Sequence, residues 1–259
     1  DLPFFVLLHV TDPHDPFRPY APYDAMWGDP AAAEQHTKDQ EKARASIKEP
    51  LLKIFGMPTR AELDEAGLDA DAYVQRDIDW YDGSIRAMDT EIGRLVERLR
   101  DLGLGESTLI AFTSDHGEEF LEHGRTFHGQ SVYGELLNVP LLLWKPGSIP
   151  AGRVVTRTVQ TVDLMPTLLA ASGLAGPAGM QGRSILPLLT GSMEEAPVFA
   201  VRAKTGMTAG SPPPRGSESY AYVSRGWKLV RHVIRMPGDT GPEFELFDAV
   251  NDPLDARDV

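Results

Sequence analysis

The chain has 259 residues, 42% of them apolar and 24% charged, a globular composition with enough apolar side chains for a sizeable core. Its 25 basic and 38 acidic residues leave a net charge of −13, which argues against nucleic acid or an anionic membrane surface as a partner. With no cysteine there is no disulfide, thiolate nucleophile or zinc–thiolate site, and no run approaches the ~20 apolar residues of a membrane helix.

Residues 4–10 (FFVLLHV) are apolar without alternation, which predicts a first strand buried on both faces. It ends in Asp12-Pro13-His14, and Pro13, Pro16, Pro19 and Pro22 then impose an extended loop. His9 and His14 would face opposite sides of an ideal strand, but the break at Pro13 lets His14 turn elsewhere. Residues 23–71 are polar and charged, with helix-forming runs at 31–47 and 60–65. They carry no evident chemistry and read as a cap over a cleft.

Residues 73–102 predict a long helix, because Ile78, Tyr81, Ile85, Met88, Ile92, Leu95, Leu99 and Leu102 recur three and four apart. Asp77, Asp79 and Asp82 lie towards its start and Arg94, Arg98 and Arg100 near its end, as the macrodipole prefers; Gly103 and Gly105 stop it. An apolar run follows at once. The expectation is a βαβ crossover, with the stripe packed on a sheet.

That next run, residues 108–113 (TLIAFT), predicts a buried strand ending in Ser114-Asp115-His116-Gly117. An acid and an imidazole at the carboxyl end of a buried strand stand where open α/β sheets place their chemistry, although the tripeptide alone is more often a turn. His123 and His128 follow, so three of the seven histidines share one short segment. Residues 139–144 (VPLLLW) predict another strand, turned by Lys145-Pro146-Gly147, where a solvated lysine is the simplest reading. Residues 154–160 suggest one more strand. Asp163 heads a helix through residue 172 as its N-cap, with Gly173 ending it. Beyond residue 196, the runs 198–201, 220–224, 227–233 and 244–247 predict antiparallel strands, with a tight hairpin at Arg225-Gly226. Residues 204–219, rich in Gly, Ser and Pro, are too polar to order themselves.

Several of these stretches together resemble the sulfatases of the alkaline-phosphatase-like superfamily, near the branch with phosphonate monoester and diester hydrolases. They are His9 with Asp12-Pro13-His14, the helix from Tyr81-Asp82-Gly83-Ser84-Ile85, Thr113-Ser114-Asp115-His116-Gly117-Glu118, and Phe127-His128-Gly129. Asn138-Val139-Pro140-Leu141, Thr161-Val162-Asp163-Leu164-Met165-Pro166-Thr167, Glu245-Leu246-Phe247-Asp248 and Asn251-Asp252-Pro253 complete the set, in the family's order. The resemblance implies an α/β fold with a mixed, mostly parallel sheet sandwiched by helices and a small C-terminal antiparallel subdomain. The catalytic α/β part would be residues 1–192 and the subdomain residues 193–259.

The family's paired aspartates and its Cys- or Ser-x-Pro-Ser-Arg stretch, whose first residue becomes formylglycine, do not occur in this sequence. The expectation is therefore the carboxyl-terminal portion of a longer protein, inactive alone, with the nucleophile in an amino-terminal part that is its partner. By the same likeness, Asp115 and His116 are half of a site for one divalent metal ion: Ca²⁺, Mn²⁺ or Mg²⁺. Many sulfatases carry Asn where His116 stands. His128 and His14 match the substrate-facing catalytic histidines and share the functions of general acid and anion clamp. His9, His123 and Lys145 are lesser substrate-binding candidates. The implied substrate is a small-molecule or glycan sulfate ester, with a phosphonate or phosphate ester as the alternative and a non-catalytic structural or binding module as the reading of another class. Family likeness leans towards a periplasmic or secreted location and implies no oligomeric state.

Overall fold

Helices close their hydrogen bonds within one segment, and the helices are where sequence and structure agree most closely. The computed structural model describes residues 3–202, 218–235 and 240–259. Its helices run in order as α1 (Ala33–Ser46), α2 (Pro50–Phe55), α3 (Arg60–Glu65) and the long α4 (Ala70–Asp101). Thr59 starts α3 with a full capping box: its hydroxyl accepts from Glu62 N at 3.3 Å while Glu62 Oε2 accepts from Thr59 N at 2.9 Å. Strands β1 (Ile110–Thr113), β2 (Glu119–Phe120) and β3 (Thr126–Phe127) follow, then the short helix α5 (Gly134–Leu137) and β4 (Leu141–Trp144). Helix α6 (Leu164–Ala171) precedes β5 (Val198–Arg202), β6 (Glu218–Ser224), β7 (Trp227–Ile234) and β8 (Phe244–Asp248).

The chain divides into two compact units, residues 1–99 with 124–127, and residues 100–123 with 128–259. In the first, Phe17, Leu52, Leu63, Tyr73 and Trp80 are buried, and Phe17 meets Tyr81 edge-on at 5.4 Å between ring centroids. Burying one such side chain contributes about 1.5–3 kcal/mol. Helix α4 turns Tyr73, Asp77, Trp80, Ser84 and Ala87 inward. Asp77 is tolerated there because it meets the fully buried His36 of α1, Nε2 to Oδ1 at 2.7 Å.

In the second unit, β5 to β8 form a four-stranded antiparallel sheet in sequence order. Alternation along β7 buries Lys228, Val230 and His232 on one face. Val230, Ala221, Phe247 and Val132 form its core, with Tyr133, Leu137 and Ala200 packed against them. Ser224 pairs with Trp227 around Arg225 (φ 52°) and Gly226 (φ 79°), the two positive φ angles of a type I′ hairpin. The expected hairpin is present.

Several expectations need correction. Residues 4–10 form no strand and are not buried: Leu7 is 82% exposed and Phe5 76%. Apolar β-forming composition supplies only one side of a ladder, and among the described residues no strand pairs with this run. Residues 154–160 form no strand either. The β1–β4 pair is antiparallel, Ile110 opposite Trp144 and Thr113 opposite Leu141, so the expected βαβ crossover and mostly parallel sheet are not what the described ladders show. In the apolar stripe of α4, Leu95 is 45% exposed. Asp163 does not act as a simple N-cap. It sits in helical conformation, its Oδ1 accepting from Arg183 N at 2.9 Å and its Oδ2 from Gln160 N at 3.4 Å. Of residues 204–219, Glu218 and Ser219 belong to β6 and the rest lie outside the described residues. No described helix is long and apolar enough to cross a membrane.

Candidate active site

Strand β1 delivers the chain into Ser114–Gly117, and local polar contacts hold that turn. Ser114 Oγ donates to the His116 carbonyl at 2.7 Å, and Asp115 Oδ1 accepts from His116 N at 3.1 Å. Gly117 N donates to the Leu136 carbonyl of α5 at 2.9 Å. A Cβ at Gly117 would collide with the Glu135 carbonyl oxygen, so glycine is needed for this close approach.

The turn fixes the imidazole of His116. Its Nδ1 lies 2.8 Å from the Gly117 carbonyl oxygen, which can only accept, so the proton is on Nδ1 and the lone pair on Nε2. That nitrogen stands 3.8 Å from Asp115 Oδ1, and the Asp115 side chain is 81% exposed. Two donors at this separation are within the span of one divalent ion with bonds of about 2.0–2.4 Å, and the carbonyl on the far nitrogen is the usual support of a metal-binding histidine. Asp115 and His116 therefore fit a pair of metal ligands. They fit only as a pair, since no group of three or more such ligands occurs among the described residues.

His128 stacks on His116 with ring centroids 4.1 Å apart. Its Nδ1 lies 3.0 Å from Oε1 of the buried Glu118, whose carboxylate accepts that proton and orients the ring. Asp115, His116 and His128 thus occupy one locality of the second unit. Glu118 belongs with them and was not among the sequence candidates.

His123, in the same unit, has both nitrogens engaged. Nδ1 is 2.8 Å from Glu135 Oε1 and Nε2 is 2.9 Å from the Asp255 carbonyl oxygen. Both partners accept, so both nitrogens carry hydrogen and the ring is cationic. Burial works against that charge, but Glu135 and the Asp255 carbonyl outweigh it and hold the His123 pKa above its ordinary value. Tyr133 stacks on this ring at 3.7 Å and donates to Glu245 at 2.8 Å, which ties the loop to the C-terminal sheet. The surroundings of His123 are structural ones. Lys145 lies in the turn after β4, where its carbonyl accepts from Ile149 N at 2.9 Å.

His9 and His14 belong to the first unit. His9 is exposed in the extended run. His14 is half-exposed, with Nδ1 donating to the Asp15 carbonyl at 2.8 Å and 3.1 Å from Asp15 Oδ1.

The sulfatase family model matches residues 1–174, and the model for the carboxyl-terminal region of N-sulphoglucosamine sulphohydrolase matches residues 122–259. The chain is 32% identical to arylsulfatase K of Xenopus laevis over 170 residues, 65% of the chain and 31% of that protein. It is 28% identical to the endo-4-O-sulfatase of Bacteroides thetaiotaomicron over 264 residues, 99% of the chain and 47% of that enzyme. The solved phosphonate monoester hydrolase of Silicibacter pomeroyi superposes with a TM-score of 0.65 at 26% identity, covering 91% of this chain and 48% of that one. The chain therefore spans less than half the length of these relatives.

Proposed function

The chain belongs to the sulfatase family, and from that premise we propose that it serves in the metal-dependent hydrolysis of sulfate esters, small-molecule or glycan. The observation that carries the reading is the Asp115–His116 donor pair with the His128 imidazole stacked on it at 4.1 Å. Sulfate-ester cleavage needs an in-line nucleophile, neutralisation of the peripheral sulfuryl oxygens, and a proton for the departing alcohol oxygen. Asp115 and His116 would hold a divalent ion, which would supply that neutralisation as a Lewis acid. The chain has no cysteine and no Pro-Ser-Arg, so in this proposal a formylglycine nucleophile and the remaining metal ligands come from polypeptide outside these residues. His128, oriented by Glu118, serves proton donation to the leaving oxygen and anion binding. A mostly parallel sheet in the intact enzyme belongs to the same proposal, and the likeness to the solved hydrolase supports the shared fold.

The test uses the enzyme carrying its nucleophile. Asp115→Ala should lower aryl sulfate turnover at least about a hundredfold and remove bound metal by elemental analysis; retained metal would refute the ligand assignment. The second reading, a phosphonate ester as substrate, is favoured by the TM-score of 0.65 to a phosphonate monoester hydrolase. A large preference for aryl phosphonate over aryl sulfate would select it.

A further inference from the structure

Strand β7 turns a lysine inward. Lys228 is 4% exposed on the inner face of the sheet, and its Nζ touches Oδ2 of Asp255, which is 3% exposed in the segment after β8. A buried ion pair is costly, because two charges lose their water and regain only one another. The backbone holds this pair together all the same. The Pro253 carbonyl rests on Gly134, where a Cβ would collide with it, and accepts from Asn138 Nδ2 at 2.6 Å. Asp255 has φ 55°, in the left-handed region that a residue with a side chain seldom adopts, and it is kept there with its carboxylate against the lysine.

A third group completes the setting. Glu135 of α5 is buried, with Oε1 2.8 Å from His123 Nδ1, while the other nitrogen of that ring is 2.9 Å from the Asp255 carbonyl oxygen. Its charge acts on Lys228 and on Asp255 alike. Its second oxygen, Oε2, is buried without a hydrogen-bond partner. A carboxylate with a purely structural role has such an oxygen satisfied, whereas a proton carrier needs it open. Burial pulls the Lys228 pKa below that of an ordinary amine and pushes the Asp255 pKa above that of an ordinary carboxyl group. Both partners lean towards their neutral forms, and a neutral amine facing a neutral acid is a nucleophile facing an electrophile.

We propose that Lys228 and Asp255 form a modification site, at which the two side chains condense to an isopeptide bond with Glu135 as the proton carrier. The Nζ lone pair attacks Asp255 Cγ and the C–N bond forms. Glu135 Oε2 takes a proton from the nitrogen and passes it to the departing hydroxyl. The C–O bond breaks, water leaves, and Glu135 returns to its starting state. No oxidant or cofactor enters, since an ammonium and a carboxylate become an amide and water. Enforced contact replaces the encounter that limits this condensation in solution, and the product carries neither buried charge. The bond fastens the C-terminal segment to β7 across 27 positions.

The bond is read as mass, independently of any ester hydrolysis. After overnight incubation at neutral pH, intact mass spectrometry should find the folded chain lighter than its sequence by one water. Trypsin should spare the Lys228–Leu229 bond, and fragmentation should find peptide 226–231 joined to peptide 236–257. Lys228→Arg keeps the positive charge without a nucleophile, and Glu135→Gln cannot take up the proton. Both variants should keep the full sequence mass, with circular dichroism checking that each folds. A folded wild-type chain at full sequence mass overturns the assignment and leaves a buried ion pair. So does a water lost as a succinimide at Asp255, recognised because trypsin then still cuts after Lys228 and Lys228→Arg retains the loss. A cross-link formed to the same extent in Glu135→Gln overturns the role of Glu135.

Discussion

At the scale of single residues, the structure adds acids to a site that the sequence marks by its histidines. Asp115, His116 and His128 stand out because strand-end position and spacing are visible in one dimension. Glu118 does not, because nothing in the order of residues says that a carboxylate ten positions before His128 turns back to its Nδ1 at 3.0 Å. Glu118 touches no reacting atom in the proposed chemistry, so it is a positioning residue. Glu118→Gln should therefore lower kcat about tenfold to a hundredfold with little change in KM, and Glu118→Asp should recover part of the loss. An unchanged kcat would leave Glu118 with a packing role alone. His123 yields a different expectation. Its pKa is raised in the fold by Glu135 and the Asp255 carbonyl against the opposing effect of burial, with Glu119 adding to the charge it faces. The folded state thus holds this proton more tightly than the unfolded chain, whose histidine titrates near ~6.5. The stabilisation is complete below that value and fades as pH rises through the raised one. Urea unfolding should show His123→Gln costing more at about pH 6 than at about pH 9; an equal cost at both would mean the ring contributes by packing only.

Secondary-structure elements separate into those that a local pattern specifies and those that need a partner. The long helix expected at 73–102 is found at Ala70–Asp101, and the expected 60–65 run is α3 itself. The four carboxyl-terminal strands are also where alternation and the Arg225-Gly226 turn place them, because hairpin neighbours supply each other's ladder. Residues 4–10 and 154–160 have strand composition and no described partner, and composition cannot report that. The α4 stripe was legible as a helix face, but which face would be buried depended on α1, where His36 draws Asp77 inward. Contact between elements also governs the turn after β1. Gly117 brings that turn against α5 with no room for a side chain, so Gly117→Ala must push apart two backbone segments rather than move a flexible tip. The expected cost is about 1–3 kcal/mol in urea unfolding, together with loss of the metal proposed to bind there, since Asp115 and His116 ride on the displaced turn. Unchanged stability and metal content would show that the turn and α5 are not tightly apposed.

For the molecule as a whole, surface apolarity and net charge act in opposite directions. Phe4, Phe5, Val6, Leu7 and Leu8 are between 57% and 82% exposed. The outer face of the C-terminal sheet shows Phe199 beside Tyr222 and Leu229 in one row and Val201 beside Tyr220 in the next, all at least 39% exposed. Contiguous apolar surface of this kind drives association, and an unpaired β-forming run is a template for it. The charge of −13 opposes close approach of two copies, and salt screens that repulsion without weakening the apolar attraction. The chain should therefore self-associate with rising concentration, and more strongly at about 1 M than at about 0.1 M sodium chloride, as read by sedimentation velocity. Two double variants separate the surfaces, Phe5→Lys with Leu7→Lys and Phe199→Lys with Tyr222→Lys. If the extended run is the stronger template, as its higher exposure and unpaired backbone argue, the first pair restores monomer and the second does not. A chain that stays monomeric at all concentrations and in high salt would mean that these apolar surfaces are covered in solution.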